Sequence, residues 1–271
     1  MIHLAGAVEG VAQVLEAERA LLDFVTFPAE PYDGVLVAAH AATRTTRVGL
    51  VPTVTTTHTE PFHVGIGIAT LDHVSKGRAG WRVATSPSGE EARLFGRRTD
   101  LTDLELEAAD AVEVARRLWD SWEDDAEIRD VPTGRFVDRD KLHYIDFEGR
   151  WFSVKGPSIT PRPPQGQPVV VADAGLGVEA DVVLVTPRDT AHAWELADAG
   201  TRVFALGATD VETVVDWHQA GIDGFLLPVA DAVELAAELR DRGLFRTAYE
   251  ATTLRGLLGL PRPASRYAEV S

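Results

Sequence analysis

Three histidines, His58, His63 and His73, follow a run of hydroxyls at Thr53, Thr55, Thr56 and Thr57 in the first third of the chain. Neutral imidazoles ligate metals or move protons near neutral pH. Metal binding is the weaker option here. His58 and His63 are five residues apart with Pro61 between them, a spacing that does not set two rings on one helix face. No metal site is expected, and hydrogen-bonding or packing roles compete with catalysis for all three rings. His58 is the catalytic candidate, because it follows an apolar strand whose C-terminal loop would lie on the active face of a barrel. The threonines would place hydroxyls around the same rim, although β-propensity alone also accounts for them.

Other chemistry-bearing patterns fail on context. Gly175 to Ala180, G-L-G-V-E-A, matches a dinucleotide fingerprint, but A-D-V-V-L-V then continues as a strand where a helix N-terminus would have to receive the pyrophosphate. Walker-type phosphate loops, G-x-S-x-G elbows and H-E-x-x-H helices are absent from the sequence.

The elements that must position these groups alternate in type. Strands are expected at Ile2 to Ala7, Asp23 to Phe27, Arg47 to Val54, Ala79 to Thr85, Val169 to Ala172, Asp181 to Val185, Thr201 to Leu206 and Ile222 to Leu227. After the first strand comes a helix with Val8, Val11, Leu15 and Leu22 on one face. Further helices are expected at Gly34 to Ala42, Pro61 to Asp72, Asp103 to Trp122, Pro187 to Ala199, Asp210 to Ala220 and Asp231 to Arg242. The Asp103 to Trp122 helix shows an apolar stripe of Leu104, Ala108, Ala111, Val112, Ala115, Leu118, Trp119 and Trp122. Thr102 with Glu105 and Thr209 with Glu212 read as capping boxes, and Gly200, Gly221 and Gly243 as helix stops. Val131 to Pro164 is a Pro- and Gly-rich excursion with a hairpin around Glu148-Gly149. Eight parallel strands in a β/α rhythm imply a (β/α)8 TIM-type barrel over residues 1–271 as one domain. One outer helix is expected to be missing, because the eight residues Asp173 to Ala180 can return along a strand but cannot wind a crossover helix. The excursion or a partner surface is expected to cover that gap. Trp81 and Trp151 are the tryptophans expected to line a cavity.

Composition narrows the class of protein. The 271 residues are 45% hydrophobic, enough for a full core, and carry a formal charge of -16, which argues against nucleic acid and anionic membranes. There is no cysteine, so thiolate chemistry is excluded. No stretch of about 18 apolar residues and no signal-like N-terminus occurs, so a soluble cytoplasmic protein is expected.

The wording of several stretches carries a resemblance. Arg47 to Ser86, L-W-D-S-W (Leu118 to Trp122), P-P-Q-G (Pro163 to Gly166), D-G-F (Asp223 to Phe225) and the run from Arg242 to Pro263 together resemble the bacterial luciferase-like flavin-dependent monooxygenases. The branch acting on nitrilotriacetate, EDTA and dibenzothiophene sulfone is the one they resemble. That resemblance implies a barrel enzyme using reduced FMN from a separate flavin reductase to oxidise a small organic substrate, commonly as a homo-oligomer. It also implies flavin contacts at Thr53, Thr85 and Ser86, with Arg82 in the place of a flavin-reading Asn.

The chain departs from the family pattern at several of these points. G-W-N-V-V-T is replaced by G-W-R-V-A-T at Gly80 to Thr85, and the family's H-x-x-R-Y aligns with Leu101 to Glu105. An acid usual after the second strand falls near Ala29 and Glu30, and the turn carrying a phosphate-binding Ser is absent. Each lost polar partner removes roughly 1 kcal/mol or more. Weak FMN binding is therefore expected, with a non-catalytic barrel homologue as the alternative reading. Strand alternation leaves Arg82 pointing into the barrel or snorkelling outwards. The expectation is an inward Arg82 paired with Glu30, Glu60 or Asp173, filling the space of the flavin ring.

Overall fold

A computed structural model describes residues 1–96, 101–188, 201–208 and 210–268. In chain order the first half gives β1 (His3–Ala7), α1 (Val11–Arg19), β2 (Phe24–Phe27), α2 (Gly34–Ala42), β3 (Gly49–Thr55), α3 (Pro61–Ser75), β4 (Gly80–Ala84), α4 (Gly89–Phe95) and α5 (Leu104–Asp120). Two hairpins follow, β5 (Glu127–Asp130) with β6 (Arg135–Val137) and β7 (Phe147–Glu148) with β8 (Ser153–Val154). The last part gives β9 (Val169–Asp173), β10 (Val182–Val185), β11 (Arg202–Leu206), α6 (Val211–Gln219), β12 (Gly224–Pro228), α7 (Val229–Asp241) and α8 (Leu254–Leu257). Eight parallel strands close in the order β1-β12-β11-β10-β9-β4-β3-β2, the expected (β/α)8 barrel.

The missing outer helix is confirmed. Between β9 and β10 only one 3-10 turn forms, at Ala174–Leu176. The excursion does not cover the gap. Ile145, Phe147 and Val154 pack on Val114 and Leu118 of α5, and only Phe152 reaches the cluster that Leu176 and Val178 join with Ala180, Trp81 and Ala111. The short return segment thus covers itself by packing against α5. Arg116 ties it down, donating to Glu179 O at 3.2 Å and to Asp181 at 3.3 Å.

Three local expectations need correction. The buried residues of α1 are Val14 and Ala17, whereas Val8 and Leu22 lie outside the helix and Leu15 is half-buried. The N-cap of α5 is Asp103 at φ 56°, so the cap falls one residue past Thr102 and makes no side-chain cap bond. The cap of α6 is Asp210, whose carboxylate accepts from Thr213 N, while Thr209, Gly200 and nearly all of the helix expected from Pro187 to Ala199 lie outside the described residues. The α5 stripe, by contrast, is buried at every one of its eight positions.

The floor of the barrel is closed from below by α8. Leu254 and Leu258 belong to the interior cluster with Phe24, Val51, Val169, Val182 and Phe204. Glycines make the room: a Cβ on Gly49 would meet Leu254 Cδ1 at 2.6 Å, and one on Gly80 would meet Val51 Cγ2 at 2.9 Å. Gly49→Ala is therefore expected to destabilise the fold by about 1–3 kcal/mol in urea unfolding. In a Leu254→Ala background the increment should shrink; an equal increment in both backgrounds would show that Leu254 is not the neighbour that matters.

Candidate active site at the barrel mouth

Strand alternation fixes which side chains reach the mouth. Gly80 faces the interior beside Val51, and Arg82 sits two residues further along β4, in register with Val171 and Thr53. Arg82 therefore points into the barrel, as do Thr53, Thr55 and Ala84. Trp81 goes the other way. It is fully buried between β4 and the helices, and its indole N–H donates to Val54 O at 3.1 Å, so it lines no cavity. Trp151 lies in the β7–β8 turn with the Arg150 guanidinium over its ring.

The Arg82 guanidinium pairs with Asp173, Nη2 to Oδ1 at 3.5 Å, one of the three acids expected. The pair does not fill the mouth. Beside it opens a cleft of about 910 Å³, lined by Thr53, Thr55, Ala84, Thr85 and Ser86 from the strand ends and by Val35, Leu36, Val64, Glu91 and Phe95 from the helices. Glu30, Asp33 and His63 complete its rim. Its volume falls within the roughly 300–1,000 Å³ of small-molecule and cofactor sites.

One wall of this cleft is built by a short circuit of polar groups. Ser86 N donates to Thr57 Oγ at 2.9 Å, and Ser86 Oγ donates to the Glu91 carboxylate. Ser88 caps α4 by accepting from Glu91 N at 3.2 Å. The sequence reading missed α4 and Glu91, although S-G-E-E at Ser88 to Glu91 carries the Ser-x-x-Glu signature of a capped helix start.

His58 is buried at 4% exposure, its ring stacked on Phe95 with centroids 4.9 Å apart. Phe95 lines the cleft and His58 does not, so the imidazole supports the wall. His63 is exposed on the cleft rim, and His73 lies elsewhere, its ring 3.3 Å from Pro161 O. The three histidines are thus dispersed. Among the described residues no three His, Asp or Glu side chains form a metal-binding group.

Closed parallel barrels of this kind with sites at the strand C-termini define a class of enzyme scaffold. Residues 5–198 match the family described as luciferase-like monooxygenase, and the chain belongs to that family. It is 40% identical over 185 residues to dibenzothiophene-sulfone monooxygenase of Rhodococcus erythropolis, covering 68% of this chain and 38% of that protein. It is 44% identical over 144 residues to nitrilotriacetate monooxygenase component A of Aminobacter aminovorans, covering 52% of this chain and 31% of that protein. The matches thus span about a third of the length of these curated relatives. A riboflavin lyase solved with modified FMN and riboflavin shares the fold, with a TM-score of 0.84, 22% identity and coverage of 98% of this chain and 97% of that one.

Thr57 is the buried acceptor that holds the Ser86 backbone in the wall. Thr57→Val is expected to cost about 1–2 kcal/mol and to speed amide exchange at Ser86. Unchanged exchange there would show that the loop is held by other contacts.

Proposed function

We propose that this chain is a flavin-dependent monooxygenase that takes reduced FMN from a separate reductase and oxidises a small organic substrate. Family membership combined with an open, hydroxyl-lined cleft at the barrel mouth is the observation that carries this reading. A flavin fits the donor set in its ring: neutral hydroxyls at Thr53, Thr85 and Ser86 suit its carbonyls and nitrogens, and Val35, Val54 and Val64 supply apolar walls. Bound reduced flavin would supply the oxygen chemistry. The chain's own residues would do the rest. Thr53, Thr85 and Ser86 orient the ring, Phe95 braced by His58 excludes water, and Glu91 holds the Ser86 hydroxyl by accepting its proton in a hydrogen bond.

The phosphate is served less well. The β9–β10 connection has no α-helix to offer its N-terminus, and the acids Glu30, Asp33 and Glu91 line the cleft. We therefore expect weak FMN binding, dominated by the ring. No described helix is long and apolar enough to cross a membrane. A cytoplasmic location, a single domain, homo-oligomer formation and a flavin reductase partner complete the proposal. The reductase has support in the name of the nitrilotriacetate relative, which is one component of its monooxygenase.

Anaerobic titration with reduced FMN, followed by fluorescence or calorimetry, should show saturable binding, with oxidised FMN weaker than about 1 µM. The double variant Thr53→Val, Ser86→Ala should lose about tenfold or more in affinity. Failure of both flavin forms to bind would overturn the enzyme reading in favour of a non-catalytic barrel, and sub-micromolar affinity for oxidised FMN would overturn the expectation of weak binding.

A further inference from the structure

The carboxylates of this chain differ in what compensates them. Asp23 meets Arg246, Asp120 meets Arg162, Asp181 meets Arg116 and Arg255, and Asp223 meets Arg202. Asp72 takes three N–H donors instead, from Ala79 and from both nitrogens of Gln165. Glu91 is half-buried in the wall of the large cleft, and among the described residues its carboxylate accepts one hydrogen bond, from the neutral Ser86 hydroxyl. A carboxylate has about four lone-pair sites, so most of its accepting capacity is unused. Asp110 also lacks a cation among the described residues, but it does not line the cleft, and burial pushes its carboxyl up toward the neutral form.

Two features turn that spare capacity toward a ligand. Glu91 is anchored: Ser88 Oγ accepts from its backbone N–H at 3.2 Å, and the buried Ser86 that holds its carboxylate is itself tied through its own N–H to Thr57. The cleft also brings little positive charge of its own. Among the described residues that line it there is neither lysine nor arginine, His63 sits exposed on the rim, and Arg82, outside the lining, is paired with Asp173. Because the Ser86 hydrogen is spent on Glu91, the Ser86–Glu91 pair offers the cleft acceptors alone. Val35, Leu36, Val64 and Phe95 put apolar surface into the same cleft. The complementary ligand carries an ammonium, three N–H donors on one positive charge, joined to an apolar body.

We propose that Glu91 is a specificity-determining residue of the cleft and takes the ammonium of a small organic amine, with Ser86 as the positioning residue that aims the carboxylate. Resting on the monooxygenase reading above, this amine is the substrate. Glu91 then selects by charge, and the apolar lining takes the remainder of the molecule.

The test uses the full chain near neutral pH, with 2-phenylethylammonium as probe and 2-phenylethanol as its neutral counterpart, followed by ligand-observed NMR or calorimetry. The ammonium should bind saturably and at least about tenfold more tightly than the alcohol. Glu91→Gln keeps an oxygen for the Ser86 hydroxyl but removes the charge, and should erase that preference while leaving the affinity for the alcohol within about twofold. Glu30→Gln, a carboxylate lost from the exposed rim, should keep the preference. Equal affinities for the two probes, a preference that survives Glu91→Gln, or one that is lost in Glu30→Gln would each overturn the proposal. Flavin titration of the same samples separates the two readings. The ammonium pattern without flavin binding leaves the cation site standing and removes only its assignment as substrate site, whereas flavin binding without the pattern removes the cation site alone.

Discussion

The structure depends on how the lower end of the barrel is sealed. Leu254 enters the interior between strands whose glycines leave it room, and a linked set of buried polar groups surrounds it. Asp72, fully buried, accepts from Ala79 N and from both the backbone and side-chain nitrogens of Gln165. Gln165 in turn accepts from Arg255 N, and Arg255 reaches Asp181 at 2.8 Å. Burial pushes the Asp72 carboxyl up and the Arg78 guanidinium pKa down, so both groups depend on these hydrogen bonds to remain inside. A charge stripped of such partners would cost several kcal/mol.

That division of labour explains why the upper end can vary. At the strand N-termini, buried Asp72, Gln165, Arg255 and Asp181 are joined in one chain of hydrogen bonds. At the strand C-termini the groups are hydroxyls, half-exposed acids and one arginine with spare donors, held by a few local contacts such as Thr57 to Ser86. Side chains at the mouth can therefore be exchanged without breaking the seal below. The replacement of a neutral amide by Arg82, expected from the family resemblance, is such a change: its neighbours Val171 and Thr53 keep their strand register.

Strand positions and the α5 stripe were legible because each is a local pattern. Alternation on β4 was enough to restrict Arg82 to two directions, and a three-dimensional neighbour, Gly80 against Val51, chose between them. Chain length alone predicted the missing helix. What could not be read were contacts between distant segments. Nothing near Gln165 in sequence announces Asp72, and nothing near Arg255 announces Asp181. The α1 face was misread because Leu15 looks more apolar than Ala17, yet Val14 and Ala17 are the buried positions of the helix. Asp103 took the cap from Thr102 because its positive φ ends the preceding loop one residue later. At the site, Thr53, Thr85 and Ser86 lie together on the cleft, whereas His58 turned out to lie behind Phe95.

The lost crossover helix bears on assembly. A barrel lacking an outer helix would expose the outward residues of the strand that follows, and an exposed apolar strip of that kind invites a partner. Here the strip is not exposed. Val185 is buried in the main outer cluster, Val183 packs at the junction of two clusters, and Leu176 and Val178 lean on the α5 side. Arg116 closes the seam by binding Gln167, Glu179 O and Asp181 together. The apolar side chains of the shortened connection are thus packed within the chain. Tyr32, Leu36, Leu94 and Phe95 are the exposed apolar side chains nearest the cleft in sequence and space, and two of them line it. A second group of exposed apolar side chains, Val131, Phe136, Tyr144 and Ile159, lies on the excursion after α5, so apolar exposure is shared between the cleft and that excursion.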